Sequence, residues 1–285
     1  MVEARLTKPR SGALVKPVVF LGGGRITAAL VAGLRLVGYK PAIVVYDRHP
    51  EKLRELKRKY DVLIERDLLF AVARARILIV AVRPLDVANL LEEVAQTGSL
   101  SRAMLVISLA AGIPLRKLRS RLDPHVRWAR AMPSPVCRVA RGLTALTFDR
   151  KISSHQRKEV REFFEHVGPV VEIPESCFDA FTAAFSPSHG YHALATLAKT
   201  AQQRGLAGKT ALTAAAHALT GGILYWQDSG QTLDELVSEA ATPGGTAAAT
   251  MSAMNRAGYE KAVARGLRAG MNQARTNAKD LSTKC

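Results

Sequence analysis

Apolar and polar positions follow two rhythms along this chain, and the rhythm changes near residue 165. Residues 17–21, PVVFL, form a short uninterrupted apolar run, and Gly22, Gly23 and Gly24 follow at once. Ile26, Ala29, Leu30, Gly33, Leu34 and Val37 then recur at helical spacing, with Gly38 placed to stop that helix. A second run, 42–46, ends at Asp47, and a charged helical pattern occupies 50–60. Residues 61–64, 77–82 and 104–109 are further strand candidates. Strands that read as continuous apolar runs, separated by helices, predict an α/β unit with a doubly wound, mostly parallel sheet.

From Asp179 onward the chain is rich in Ala, Leu and Gly, with helix-period stretches over 193–204, 210–227 and 233–240. Gly205, Gly221, Gly230 and Pro243-Gly244-Gly245 punctuate them, another helical pattern starts at Ala247, and a basic tail closes the chain. Alanine-rich helices pack closely against one another, so an all-α second domain is expected. The predicted division is 1–168 for the α/β domain, with 1–16 a basic flexible lead-in, and 169–285 for the helical domain.

Composition narrows the partners. The chain has 285 residues, 48% hydrophobic and 23% charged, which suits two globular domains. No run of about 18 uncharged apolar residues exists, so no membrane span is expected. The N-terminus lacks the apolar core of a secretory signal. Cys137, Cys177 and Cys285 are few, widely spaced and odd in number, which points to a reducing, cytoplasmic compartment. Neither Cys-x-x-Cys nor His-Glu-x-x-His occurs, so no metal is expected. The net charge of +17 raises the question of nucleic acid. Yet the basic residues are scattered, with Arg54, Lys57, Arg58 and Lys59 beside Glu51 and Glu55 like a solvated helix face. No specific nucleic-acid partner is expected; a positive surface also suits anionic cofactors and substrates.

The segment Gly22-Gly23-Gly24-Arg25-Ile26-Thr27 fits G-x-G-x-x-(small) and sits between a strand and a helix. In that context the pattern predicts a Rossmann-type dinucleotide site. Gly22 permits the tight turn, and Gly24 lets a pyrophosphate approach the backbone. The first helical turn, at Arg25 and Ile26, then offers free N–H groups and a positive dipole end. Asp47 ends the second strand, where an acid bonds the 2′-hydroxyl of NADH. Arg48 follows it, and an arginine there suits the 2′-phosphate of NADPH. Both coenzymes stay open on these residues, and Asp47 has a simpler reading as a cap of the next helix.

The chain resembles pyrroline-5-carboxylate reductases from about Val18 to Arg275. The resemblance is carried by Phe20-Leu21-Gly22-Gly23-Gly24, by Ala81-Val82-Arg83-Pro84, by Ser108-Leu109-Ala110-Ala111-Gly112-Ile113 and by Arg130-Ala131-Met132-Pro133. Asp179-Ala180-Phe181-Thr182-Ala183 and Thr242-Pro243-Gly244-Gly245-Thr246 complete it, in the same order and spacing. It implies a Rossmann domain followed by a helical dimerisation domain, and a homodimer or higher homo-oligomer. It implies hydride transfer from NADPH or NADH to a cyclic imino acid, with Ala81, Val82, Arg83, Pro84, Ala110 and Ala111 at the cofactor. Met132, Pro133, Ser186, Ser188, Tyr191, Gly244 and Gly245 are implied at the substrate. Independently, glycines before a helix start leave N–H donors that suit a carboxylate.

The chain departs from that family pattern in its substrate half. Ser-Gly-Ser-Gly-Pro-Ala-Tyr becomes Phe185-Ser186-Pro187-Ser188-His189-Gly190-Tyr191, with only the tyrosine in register. A hydroxyl residue becomes Ala247, with Thr246 one position earlier, and helical neighbours point about 100° apart. Met-Pro-Asn-Thr-Pro becomes Met132-Pro133-Ser134-Pro135-Val136, and Leu68 stands where an asparagine is usual. His189 is the new titratable group and, with Thr246, the candidate catalytic residue; a histidine at a helix start also simply caps or packs. Two functions follow: a cyclic-imine reductase, or a catalytically weakened paralogue that binds NAD(P) and acts as a regulatory or interaction protein.

Overall fold

A computed structural model describes residues 17–101 and 104–280. The lead-in expected at 1–16 lies outside the described residues. The chain divides into two compact units, one running to Glu175 and the other covering Ser176–Thr276.

The first unit holds β1 (Val18–Leu21), α1 (Arg25–Leu36), β2 (Ile43–Tyr46), α2 (Pro50–Tyr60), β3 (Leu63–Glu65), α3 (Leu68–Arg74) and β4 (Ile77–Val80). It continues with α4 (Val87–Gln96), β5 (Leu105–Ser108), α5 (Leu115–Arg119), β6 (Arg127–Pro133), β7 (Thr144–Phe148), α6 (Ser154–Glu165) and β8 (Val170–Glu172). The eight strands form one sheet in the order β3-β2-β1-β4-β5-β6-β7-β8. Neighbours pair parallel except β6 and β7, as the mostly parallel expectation requires.

Period-two burial explains why the strand runs are apolar throughout. Val18 and Phe20 of β1 cluster with Ile43, Ile77, Leu30, Leu34, Leu53 and Phe163. Their neighbours Val19 and Leu21 enter a second cluster with Val44, Leu78, Val72, Leu91 and Trp128. Each such aliphatic side chain contributes roughly 1.5–3 kcal/mol by leaving water. The helix ends are set by local chemistry. Pro50 opens α2, the Asp67 carboxylate accepts from the Phe70 N–H, and Ser153 and Gln156 close a reciprocal box at α6. Gly33 lies where α1 crosses the turn Pro135–Val139, and a Cβ there would collide with the Cys137 carbonyl.

The boundary falls later than the predicted 168/169. The segment 170–172 adds β8 beside β7, with Thr144 opposite Val170, and so stays with the sheet. Glu175 then ties the chain down, accepting from the Leu115 N–H at 2.6 Å and from the buried Arg130 at 3.1 Å.

The second unit is all helix: α7 (Phe178–Ala184), α8 (Ser188–Gln203), α9 (Gly208–Ser229), α10 (Leu233–Ala240), α11 (Thr246–Arg256) and α12 (Tyr259–Asp280). Thr232 and Glu235 box the start of α10. Two expectations need correction. Gly221 does not interrupt a helix but lies inside α9, since a helix tolerates an interior glycine for about 1 kcal/mol. The basic stretch read as a tail is helical to Asp280. No helix among the described residues is long and apolar enough to cross a membrane.

Candidate functional site

The carboxyl ends of β1, β2 and β4 open onto a cleft of about 650 Å³. Its floor is the turn after β1. Gly22 has φ +113, and a Cβ there would stand 2.8 Å from the Ala81 carbonyl oxygen. Only glycine fits this turn, because both the conformation and the space exclude a side chain. The turn is held on three sides. The Gly22 N–H donates to the Tyr46 carbonyl at 2.7 Å, and the Ala81 N–H to the Leu21 carbonyl at 2.8 Å. The buried Thr27 hydroxyl donates to the Gly22 carbonyl at 2.6 Å. Thr27 stands where a small residue is usual, and its hydroxyl adds a lock that glycine or alanine would lack.

Helix α1 starts at Arg25 with Gly24 as its cap, and a Cβ at Gly24 would meet nothing within 4 Å. The first-turn N–H groups have no intrahelical carbonyl to bond. They lie at the wall that Gly22, Gly24 and Arg25 line, which suits a pyrophosphate. A dinucleotide fits these residues, because a ligand can approach the backbone where no side chain intervenes.

Asp47 lines the cleft, but its carboxylate is turned to the protein. One oxygen accepts the Gly23 N–H at 2.8 Å, and the other accepts the His49 N–H and faces His49 Nδ1, both at 2.8 Å. Lys52 Nζ stands 3.6 Å away. Desolvation pushes this carboxyl up. The bonds from Gly23 and His49 and the Lys52 charge outweigh it and hold the group below its ordinary value. Asp47 is thus a brace between the glycine turn and the entry to α2. Its depressed pKa gives stability that is present above the ordinary aspartate value and is lost as pH falls through the lower, folded one. Asp47→Asn is therefore expected to melt below wild type at about pH 6, with the gap closing towards about pH 3. Melting curves across that range check this; a gap that stays constant would contradict it.

Of the other predicted cofactor residues, Arg48, Ala81, Val82 and Arg83 line the cleft, while Ile26, Pro84, Ala110 and Ala111 lie outside its lining. Ala110 is buried just beyond β5, where the Leu109 N–H bonds the Val80 carbonyl beside β4. Met132 and Pro133 end β6 and are buried. The cleft also holds Lys52 and Asp86, which sequence reasoning missed. Asp86 follows Arg83 by three residues, a spacing that could have flagged an ion pair.

The remaining candidates lie in the helical unit. Ser186 and Ser188 hydroxyls are 2.8 Å apart at the start of α8, and the exposed His189 places Nε2 2.7 Å from the Ala183 carbonyl. A carbonyl only accepts, so Nε2 carries the hydrogen and Nδ1 is the basic atom. Tyr191 is exposed. Gly244 has φ +78, and Gly245 caps α11, which begins at Thr246. No hydrogen bond among the described residues joins the start of α8 to the start of α11.

Two family models match in succession. "NADP oxidoreductase coenzyme F420-dependent" covers residues 17–112, and "Pyrroline-5-carboxylate reductase dimerisation" covers 175–277. A pyrroline-5-carboxylate reductase of Corynebacterium melassecola is 30% identical, the match covering 88% of this chain and 95% of the relative. The chain belongs to the pyrroline-5-carboxylate reductase family. The enzyme of that name from Mycobacterium tuberculosis is also 30% identical, over 90% of this chain and 95% of its own. The solved pyrroline-5-carboxylate reductase of Coxiella burnetii superposes with a TM-score of 0.81 at 26% identity, covering 92% of this chain and 98% of that one. That of Plasmodium falciparum, solved with NADP bound, shares the fold with a TM-score of 0.83 at 19% identity, covering 94% and 100%. The family resemblance read from the sequence therefore holds, as does its Rossmann-plus-helical fold class.

Proposed function

We propose that this protein is an NAD(P)H-dependent reductase of a cyclic imino acid, pyrroline-5-carboxylate or a close relative. The observation that carries the reading is family membership over about nine-tenths of the chain, joined to a braced cleft at the glycine turn. A bound reduced nicotinamide supplies a hydride. The chain's own groups do the rest. Amides of the first turn of α1 hold the pyrophosphate, while Ala81–Pro84 and Ala110–Ala111 bound the coenzyme beyond it. The N–H groups at Gly244, Gly245 and Thr246 hold the substrate carboxylate, since a helix start offers donors and a positive dipole end. Ser186, Ser188, Tyr191, Met132 and Pro133 shape the substrate's surroundings.

The reacting nitrogen needs a proton, because an iminium accepts hydride better than an imine. His189 holds that proton on Nδ1, its Nε2–H being committed to the Ala183 carbonyl. Thr246 supplies a hydroxyl where Ala247 has none. His189→Ala is expected to lower kcat by about 100-fold while leaving coenzyme affinity unchanged. A kcat within a few-fold of wild type would remove the role.

The coenzyme we favour is NADPH. The acid that would bond an unphosphorylated ribose is spent on Gly23 and His49, and cations Arg48 and Lys52 stand beside it. A homo-oligomer built through the helical unit completes the reading, and the free thiols Cys137 and Cys177 suit a reducing, cytoplasmic setting. Oxidation of NADPH and NADH by a panel of cyclic imines tests the activity. Turnover with an imino acid supports it. Coenzyme binding without turnover on any imine would overturn it in favour of a paralogue that has lost catalysis.

A further inference from the structure

Asp86 joins two loops that the sequence keeps apart. Its Oδ1 lies 3.2 Å from Arg48 Nη2, on the loop after β2, and its Oδ2 lies 3.0 Å from Arg83 Nε, on the loop after β4. In the sheet, β2 and β4 flank β1 on either side. The bridge therefore spans the end of β1, where the glycine turn lies, and all three side chains line the cleft. Arg48 and Arg83 are mostly solvent-exposed, while Asp86 is only 24% exposed. The carboxylate is the fixed point, and the long cationic side chains are the parts it orients.

We propose that Asp86 is a specificity-determining positioning residue, which pairs Arg48 with Arg83 into a two-guanidinium receptor for the phosphorylated ribose of NADPH. This rests on the coenzyme reading above. The bridge uses one nitrogen of each guanidinium, and an arginine carries five N–H donors in a planar fork. The remaining donors suit a phosphate, which accepts several charge-assisted bonds at once. One carboxylate shared by two guanidiniums leaves the trio with one positive charge, against a dianionic phosphate. The other carboxylates at the cleft are Asp47, engaged by Gly23 and His49, and Glu93 on α4. Without Asp86, two like charges would repel and each long side chain would regain its rotamers, so the receptor would be disordered before the ligand arrives. Exposed ion pairs are individually weak, so the expected effect is moderate.

The test uses the full chain and two coenzyme fragments, 2′,5′-ADP and 5′-AMP, alongside NADPH and NADH. Calorimetric affinities are compared for wild type, Asp86→Ala and Arg83→Ala. Asp86→Ala is expected to weaken 2′,5′-ADP and NADPH by about 5–10-fold, and 5′-AMP and NADH by less than twofold. Arg83→Ala should give the same selective loss, although it lies on a different loop from Arg48. Equal losses for both fragments would overturn the proposal, as would tighter 2′,5′-ADP binding by Asp86→Ala, which would make the carboxylate a repeller. An Arg83→Ala variant within twofold of wild type on 2′,5′-ADP would also overturn it. Failure of wild type to bind any of the four compounds is a different result: it overturns the coenzyme reading itself.

Discussion

Gly22→Ala is expected to weaken NADPH binding by at least about 100-fold and to lower the melting temperature. The methyl group would stand 2.8 Å from the Ala81 carbonyl oxygen and 2.9 Å from its carbon, both backbone atoms in a strand end that is hydrogen-bonded to Leu21. Neither can swing aside. The residue's φ of +113 adds a conformational cost of about 1–3 kcal/mol for any side chain. Relief requires the turn to move, and that would pull on the Thr27, Asp47 and Tyr46 bonds that aim the first turn of α1. About 2.7 kcal/mol lost from coenzyme binding is a hundredfold in affinity. Gly24→Ala is the matched control. Its φ is −77, and its Cβ would meet nothing within 4 Å, so the fold should not notice it. The added methyl would instead occupy space the coenzyme needs. Gly24→Ala should therefore bind NADPH weakly with a melting temperature near wild type. Calorimetric titration and thermal unfolding of both variants separate turn strain from ligand obstruction. NADPH affinity within twofold of wild type in Gly22→Ala would contradict the site.

What the sequence disclosed and what it hid divide along physical lines. The runs that became β1, β2, β4 and β5 are apolar at every position because both sheet faces are covered. β6 went unseen. Arg127, Arg130 and Pro133 break its run, although Trp128 and Ala129 bury on opposite faces as in any strand. Arg130 lies inside because Glu175, 45 residues away, meets it there, and no local pattern announces such a partner. The glycine turn was legible because backbone constraint leaves a residue-type signature. Asp47 was legible as a position and not as a role. Its spacing matches a ribose ligand, while its oxygens face Gly23 and His49. Asp86 left little trace, since its importance depends on two loops meeting across β1. In the helical unit, His189 stands out only as a departure from a family pattern, and its tautomer follows from the Ala183 carbonyl.

Charge placed in the last turns of α9 is expected to dissolve the assembly. Ile223, Leu224, Tyr225 and Trp226 are consecutive, and their exposures are 55%, 53%, 58% and 42%. Successive helical residues point about 100° apart, so these four side chains sweep the whole circumference of the helix. A helix that is apolar all round is stable only when surrounded. Within its own chain α9 packs on α8 and buries just Ala211 and Ala215, which is a thin core for 22 residues. If helices of a second copy were to wrap α9 they would cover such a segment, whereas one flat contact would leave a side of it in water. Ile223→Glu should therefore convert a dimer, or a larger even assembly, into monomer, because a carboxylate buried without a partner costs several kcal/mol. Imine reduction should fall with it, given the substrate-holding role proposed for the turns at Ser186 and Gly244 of the same helical unit. Analytical ultracentrifugation reads the assembly, and Trp226 reads the surface. Trp128 is buried at 1% exposure, so a red shift in the emission of the Ile223→Glu variant relative to wild type reports Trp226 entering water. A wild-type protein that sediments as a monomer at micromolar concentration while reducing imines would refute this account of α9. So would an Ile223→Glu variant that stays assembled.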